Sequence, residues 1–225
     1  MSNGGDDMSK VKLPVSSTCF IDANIIYYIE KLKTRDGFRD IIEQVYESVY
    51  IHEEVYKELS NSSQKFVDEK CDLGKWYLLK PLQEFQLSMD EYRTVQTSVQ
   101  KKLFEIDERR GKSGSAGTGE IASLAAAYLL NAEIICSNDY SIEEVIREVP
   151  LHIFIDGDDS KDQVLITHHR LLDFCKLVVD GDLLARKEVK KFYQVAYIEL
   201  KESNRKLYEE RIAEFDQAIP SGVKQ

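Results

Sequence analysis

The stretch TCFIDANIIYYIEKLK, residues 18–33, decides the fold. Its first part is rich in β-branched and aromatic residues and stops at Asp22, and the remainder repeats apolar residues at helical spacing. A short strand running directly into a helix is the building unit of an α/β fold. The pattern returns at EIICSND (133–139), a buried strand with Asp139 at its end, followed by the helical YSIEEVIREV. YIHEEVYKELS (50–60) begins extended and turns helical, WYLLKPL (76–82) is a strand stopped by Pro81, and LHIFID (151–156) is a further strand.

Helical segments lie between these runs. DGFRDIIEQVYESV (36–49) carries an apolar stripe of Phe38, Ile41, Ile42, Val45 and Val49. SQKFVDEKCDLGK is polar, a helix or a loop. SMDEYRTVQTSVQKKLFEIDERR (88–110) predicts a long helix with Ser88 as N-cap and Glu91 three residues on. TGEIASLAAAYLLN (118–131) is built from the strongest helix formers. From about Gln163 the pattern is helical to the end: one helix closed by Gly181, then a single long charged helix. The expected fold is α/β, a central mostly parallel sheet flanked by helices, with a helical C-terminal extension. Residues 1–16 are expected to be disordered, with Met8 as an alternative start; 17–160 form the main domain and 161–225 the extension packed on it.

No apolar run approaches the roughly 20 residues of a membrane span, and the polar start MSNGGDDMSK is unlike a secretory signal. Cys19, Cys71, Cys136 and Cys175 form no CxxC pair and predict reduced thiols in a cytoplasmic protein, not a zinc site. The net charge of −10 argues against a broad positive nucleic-acid face. It leaves room for local basic residues helped by metal ions, or for a basic protein partner.

The glycine-rich RRGKSGSAGTGE (109–120) invites a phosphate-loop reading, but Ile106 stands where that motif needs its leading glycine, and the preceding FEIDERR is a charged helix, not a strand. The loop instead delivers Glu120 to the mouth of an alanine-rich helix. In a parallel sheet, ligands gather at the carboxyl ends of strands, so Asp22 and Asp139 share one edge and Glu120 can reach it.

CFIDANIIYYI, VYKEL, GTGEIASLAAAYLL and IICSND, in that order, resemble the PIN-domain family of metal-dependent nucleases, across roughly Thr18 to Leu200. The resemblance implies a PIN-like fold in which Asp22, Glu58, Glu120 and Asp139 are catalytic acids. Asp22, Glu120 and Asp139 would hold Mg²⁺ or Mn²⁺. Asn24, two places after the first acid, would support it by hydrogen bonding, and Ser137 stands at the family's Ser/Thr position. Glu53 and Glu54 compete with Glu58 for the second place, because Glu54 and Glu58 share a helical face. The long stretch between the second and third acids sets this chain apart from the compact members.

Two carboxylates ~4 Å apart repel by roughly 4 kcal/mol at an effective dielectric near 20, and hard oxygen-seeking cations remove that conflict. The implied activity is hydrolysis of phosphodiester bonds by metal-activated water, on single-stranded or structured RNA, with DNA as an alternative. Asn24 occupies the place where an aspartyl-phosphate phosphatase needs its second aspartate. Arg109, Arg110 and Lys112 are candidates for phosphate contacts, or else compensate the helix dipole. Asp156 is a peripheral ligand or, with Asp158 and Asp159, a polar loop. His168 and His169 lack a ligand partner at helical spacing, and Phe192, Tyr193 and Tyr197 are expected to pack rather than to stack on bases. Some PIN proteins are toxins held by an antitoxin, so a protein partner fits, and a homo-oligomer is left open. The rival from another class is a non-catalytic PIN-like scaffold that binds protein or RNA without cutting.

Overall fold

The computed structural model describes residues 15–32, 38–86, 88–111, 117–155, 160 and 162–221. The described chain begins with β1 (Val15–Ile21), α1 (Ala23–Glu30), α2 (Ile41–Val45), β2 (Tyr46–His52), α3 (Glu53–Glu58), α4 (Asn61–Asp72) and β3 (Trp76–Leu79). It continues through α5 (Pro81–Glu84), α6 (Met89–Arg109), α7 (Thr118–Leu129), β4 (Ile134–Cys136) and α8 (Ser141–Glu148). It ends with β5 (His152–Phe154), β6 (Gln163–Leu165), β7 (Thr167–His169), α9 (Leu171–Asp180), α10 (Arg186–Ala196), α11 (Ile198–Ser203) and α12 (Arg205–Ala218). Among the described residues the main sheet has five strands in the order β3-β2-β1-β4-β7, and each pairing is parallel.

The pleat sorts each central strand onto two faces, because successive side chains point to opposite sides. Cys19 and Ile21 of β1, Val49 and Ile51 of β2, and Ile134 and Cys136 of β4 join one buried cluster. There they meet Ile25, Ile26 and Ile29 of α1, Phe174 and Val178 of α9, and Phe192 and Tyr193 of α10. Phe20 and Ile135 point the other way, into a second cluster with Val99 and Leu103 of α6, Ala125 and Ala126 of α7, and Val145 of α8. Each large apolar side chain fully buried in these layers contributes about 1.5–3 kcal/mol of transfer free energy. Lys70 is also buried, and its ammonium is satisfied by Asp40 and Glu43. No helix among the described residues is long and apolar enough to cross a membrane.

From β1 the chain winds outward to β2 and β3, then crosses through α5, α6 and α7 to β4 on the opposite side of β1. The strand order therefore reverses between β1 and β4, and their carboxyl ends frame the crevice in which such sheets bind ligands. Asp22 directly follows β1, and Ser137, Asn138 and Asp139 directly follow β4. A backbone bond from Asp22 N–H to Cys136 O, 3.0 Å, ties the two ends together.

Several expectations need correction. The helix expected over 36–49 is confined to Ile41–Val45, and Tyr46 begins a strand. Val49 fits a helical stripe, but it also fits the alternation Val49–Tyr50–Ile51, and pairing with β1 wins. The single helix expected from Gln163 to Gly181 is two strands followed by α9. The β-branched Val164, Ile166 and Thr167 favour strand, and β7 closes the edge of the main sheet beyond residue 160. The strand in LHIFID forms, but it pairs antiparallel with β6 outside the main sheet. The long final helix breaks at Tyr197 and Asn204. The Asn204 side chain caps α12 by accepting the Leu207 N–H at 3.2 Å, and α12 lays Phe215 against Tyr193 at 5.1 Å. Ser88 stands at the N-cap of α6 without making a side-chain capping bond. β1 begins at Val15, and the rest of the expected leading segment lies outside the described residues, as do Lys112, Asp156, Asp158 and Asp159.

Candidate functional site: an acidic cluster at the strand-order reversal

Asp22 occupies the N-cap position of α1 but makes no side-chain capping bond, and only 5% of its surface is exposed. Glu120 sits in the first turn of α7, where its carboxylate accepts the Gly117 N–H at 3.3 Å. One hydroxyl stands between the two acids: Ser137 Oγ lies 3.5 Å from Asp22 Oδ2 and 3.5 Å from Glu120 Oε1. These distances are long for O–H···O bonds, and a hydroxyl has one proton, so Ser137 can serve only one of the two carboxylates at a time, while backbone N–H groups of Ala23 and Asn24 face Asp22. Ser137 Oγ also accepts the Asp139 N–H at 3.2 Å, while Asp139 Oδ1 takes the Ser141 N–H of α8 at 2.6 Å.

Glu58 approaches from α3. Its Oε1 accepts the Gly119 N–H at 3.0 Å, which clips the end of α3 to the start of α7. The Glu54 carboxylate turns away to Lys57 at 2.6 Å and that of Glu53 lies 3.5 Å from the same ammonium, so Glu58 is the acid of this trio that faces α7. Residue 119 has to be small: a Cβ there would fall 2.8 Å from Val55 Cγ2 and 2.9 Å from Glu58 Oε1.

The electrostatics follow from crowding and burial. Burial pushes the Asp22 carboxyl from the usual 3.8 up to about 6, and the charges of Glu58 and Asp139 add to the push. Burial likewise pushes Glu120 from 4.5 up to about 8, with Asp22, Asp139 and Glu58 contributing. Among the described residues, no lysine or arginine forms an ion pair with Asp22, Glu58, Glu120 or Asp139. Both carboxyls hold a proton more tightly in the folded chain than in the unfolded one. Their contribution to stability therefore falls as pH rises, from about 4, near the unfolded values, to about 8, where Glu120 has ionised. A Glu120→Gln variant removes the larger part. Its melting advantage over wild type, measured without divalent ions, is expected to be small near pH 5 and to grow to about 1–3 kcal/mol by pH 8. A constant difference across that range would mean that Glu120 is not held protonated.

The surrounding side chains hold the loop after β4. Asn24 Oδ1 accepts the Asn138 N–H at 3.2 Å, so its side chain grips the neighbouring strand's loop, while its backbone N–H faces the Asp22 carboxylate and lowers its pKa. Tyr197 donates its hydroxyl to Asn138 Oδ1 at 3.1 Å, and His168 Nε2 lies 3.0 Å from Ser137 O. Sequence reasoning missed both, since Tyr197 and Asn138 are 59 residues apart and carry no motif. Arg109 is engaged with Glu144 and Glu148 of α8 at 2.9 and 2.7 Å, and Arg110 with Glu144 at 2.6 Å and Ser141 Oγ at 3.0 Å. Both arginines thus brace α6 against α8. Phe192 and Tyr193 are buried in the first core cluster.

Among the described residues, no three carboxylate, imidazole or thiol groups converge closely enough to hold a metal ion as they stand. The donor chemistry nevertheless suits a hard divalent cation. The Asp22 and Glu120 carboxyls have pKa values raised chiefly by burial, with neighbouring carboxylates adding to it, and no lysine or arginine pairs with them among the described residues. Compared with known proteins, the chain matches no family model and no curated protein.

Proposed function

We propose that the chain is a PIN-type, divalent-metal-dependent endonuclease acting on RNA. One observation carries the proposal: Asp22 and Glu120, 98 positions apart in sequence, meet across the Ser137 hydroxyl at the strand-order reversal, without a cationic partner among the described residues. Asp22, Glu120 and Asp139 would hold Mg²⁺ or Mn²⁺. Such an ion supplies charge neutralisation at the phosphodiester and acidifies a water. The remaining work belongs to the chain. Glu58 fixes the start of α7 and so aims Glu120. Ser137 spaces Asp22 from Glu120, and Asn24 and Tyr197 hold the loop that carries Asp139. RNA rather than DNA rests on the PIN resemblance. The acidic surface, net charge −10, suits a basic protein partner such as an antitoxin.

The absence of three converging ligands among the described residues favours a second reading, a PIN-like scaffold that binds without cutting. Labelled single-stranded RNA and DNA incubated with the purified protein separate the two. Cutting of RNA with Mn²⁺ and none with EDTA is expected, together with a rise in melting temperature on Mn²⁺ addition. Intact RNA and DNA under both conditions, with unchanged melting, would leave the scaffold reading standing.

A further inference from the structure

Four side chains mark the carboxyl edge of the sheet. Glu58 belongs to the helix after β2, Asp22 follows β1, Asp139 lies beyond β4, and Arg170 follows β7. His169, the residue before Arg170, accepts the Ser137 N–H through its carbonyl at 3.1 Å, so Arg170 stands one strand over from the loop that carries Asp139. The edge is thus acidic at three strands and basic at a fourth.

A second guanidinium reaches the same place from α12. Arg170 Cζ lies 5.0 Å from the centroid of the Tyr140 ring, and Arg211 Cζ lies 4.7 Å from it. Tyr140 directly follows Asp139. A ring holds a guanidinium by its flat face and leaves the in-plane N–H groups for an acceptor. The two arginines differ in what those groups meet. Arg211 is held by Glu214 at 2.8 Å. Arg170 has Glu214 at 3.8 Å and Asp173 at 3.9 Å, both beyond hydrogen-bond distance. Arg109, Arg110, Arg186 and Arg211, by contrast, each meet a carboxylate within 2.9 Å. The Arg170 side chain is 28% exposed, and its guanidinium makes no hydrogen bond among the described residues. Arg211 takes one Glu214 oxygen, and the other faces Arg170 without closing on it.

We propose that Arg170 binds a backbone phosphate of the RNA beside the acidic cluster, with Arg211 holding Glu214 off it. Loose, partly exposed ion pairs contribute little, and a phosphate that takes two parallel N–H bonds from one guanidinium displaces them. The contact also meets an electrostatic difficulty of the nuclease reading, on which it rests for the identity of the substrate. Four carboxylates and a net charge of −10 repel a polyanion, and a cation at the end of the neighbouring strand offsets that repulsion where the RNA must lie. Arg170 also borders a hollow of about 500 Å³, but there Glu143, Asp173 and Asp180 outnumber Arg170 and Lys176, so the phosphate belongs at the Tyr140 side. Binding is measurable without cleavage.

The test measures binding of a labelled single-stranded RNA to the full chain, in EDTA, over a range of salt concentrations. Arg170→Gln is expected to weaken binding about tenfold and to make the slope of log affinity against log salt shallower by about 0.7, the signature of one lost phosphate contact. Arg170→Lys should keep the slope. Arg205→Gln and Glu209→Gln, at an exposed ion pair on the same α12, should each leave the affinity within about twofold of wild type. Glu214→Gln should tighten binding about threefold or more, because it releases Arg170, and should gain nothing in the Arg170→Gln background. If the two arginines only clamp α12 to the loop after β4, Glu214→Gln loosens that clamp and tightens nothing. This variant carries the test if Arg170→Gln fails to fold. An unchanged slope in Arg170→Gln, no tightening in Glu214→Gln, or no RNA binding by wild type overturns the contact. Mn²⁺-dependent RNA cutting with an unchanged slope in Arg170→Gln would sink the contact alone. A slope that depends on Arg170 in a protein that cuts nothing would sink the nuclease reading and leave the contact in place.

Discussion

Replacing Asp22 and Asp139 together by asparagine is expected to lower Mn²⁺-dependent RNA cutting by more than about a hundredfold while raising the melting temperature of the metal-free protein. The two effects have one origin. A carboxylate in a crowded, buried place is a liability when no ion is there, and burial pushes the Asp22 carboxyl up in the direction this requires. Each pKa unit corresponds to about 1.4 kcal/mol between the charged and neutral forms, so asparagine at position 22 should stabilise the chain by about 1–3 kcal/mol near pH 8. Asparagine also preserves shape and can still meet the Ser137 hydroxyl, so loss of activity cannot be charged to loss of packing. Asp139 differs, because its Oδ1 accepts the Ser141 N–H at 2.6 Å, and an asparagine oxygen can keep that bond. Cleavage assays and thermal melts with and without Mn²⁺ give the readouts. A double variant that cuts as fast as wild type would remove these residues from the site. One that melts lower without metal would show that the acids support the fold instead of straining it.

The sheet was legible in the sequence where a strand is buried on both faces and ends at a turn. TCFID and IICSND could be read because fully buried parallel strands are continuous apolar runs, and the acid after each strand marks the edge where the chain turns back. The first half of β2 (Tyr46–Val49) and all of β7 were hidden for a different reason. Val49 suits two periods at once, and the His-His pair of β7 looks polar until β4 pairs with it and buries its surroundings. The break at Asn204 depends on α12 finding Phe215 a place against Tyr193, which is a contact of distant residues. The acids themselves were readable because each terminates a strand or opens a helix. Their supports were not. The Asn138–Tyr197 bond, the His168–Ser137 contact and the His52–Tyr92 pair join segments with no fixed spacing between them. Charge and proximity to a glycine loop do not say which anions a guanidinium already holds, and here Glu144 and Glu148 hold Arg109 and Arg110.

Gly119→Ala should be the most damaging single-methyl addition at the start of α7. On propensity alone the change is favourable, since alanine gains about 1 kcal/mol over glycine inside a helix. Sterics point the other way. The new Cβ would lie 2.8 Å from Val55 Cγ2 and 2.9 Å from Glu58 Oε1. Val55 is fully buried in the first core cluster and has no room to retreat, whereas Glu58 is exposed and can swing outward. Relief therefore comes from two movements: α7 backs away from α3, and the Glu58 carboxylate releases the Gly119 N–H. Overpacking of this kind costs about 1–3 kcal/mol, and the abandoned N–H adds to it, so the net change is expected to be a loss of about 1–2 kcal/mol in urea unfolding. The functional loss should be larger than the stability loss suggests. Glu120 is one residue away and its distance to the Ser137 hydroxyl is already at the limit of a hydrogen bond, so a shift of α7 by a fraction of an ångström separates it from Asp22. Mn²⁺-dependent cutting is expected to fall by more than about tenfold under conditions where the variant remains folded. Unchanged unfolding and unchanged cutting together would mean that α3 and α7 are not packed as closely as the Val55–Gly119–Glu58 contact requires. Restoring space with Val55→Ala in the Gly119→Ala background should recover cutting even though it removes core volume, because the aim of Glu120, not the bulk of Val55, is what the reaction depends on.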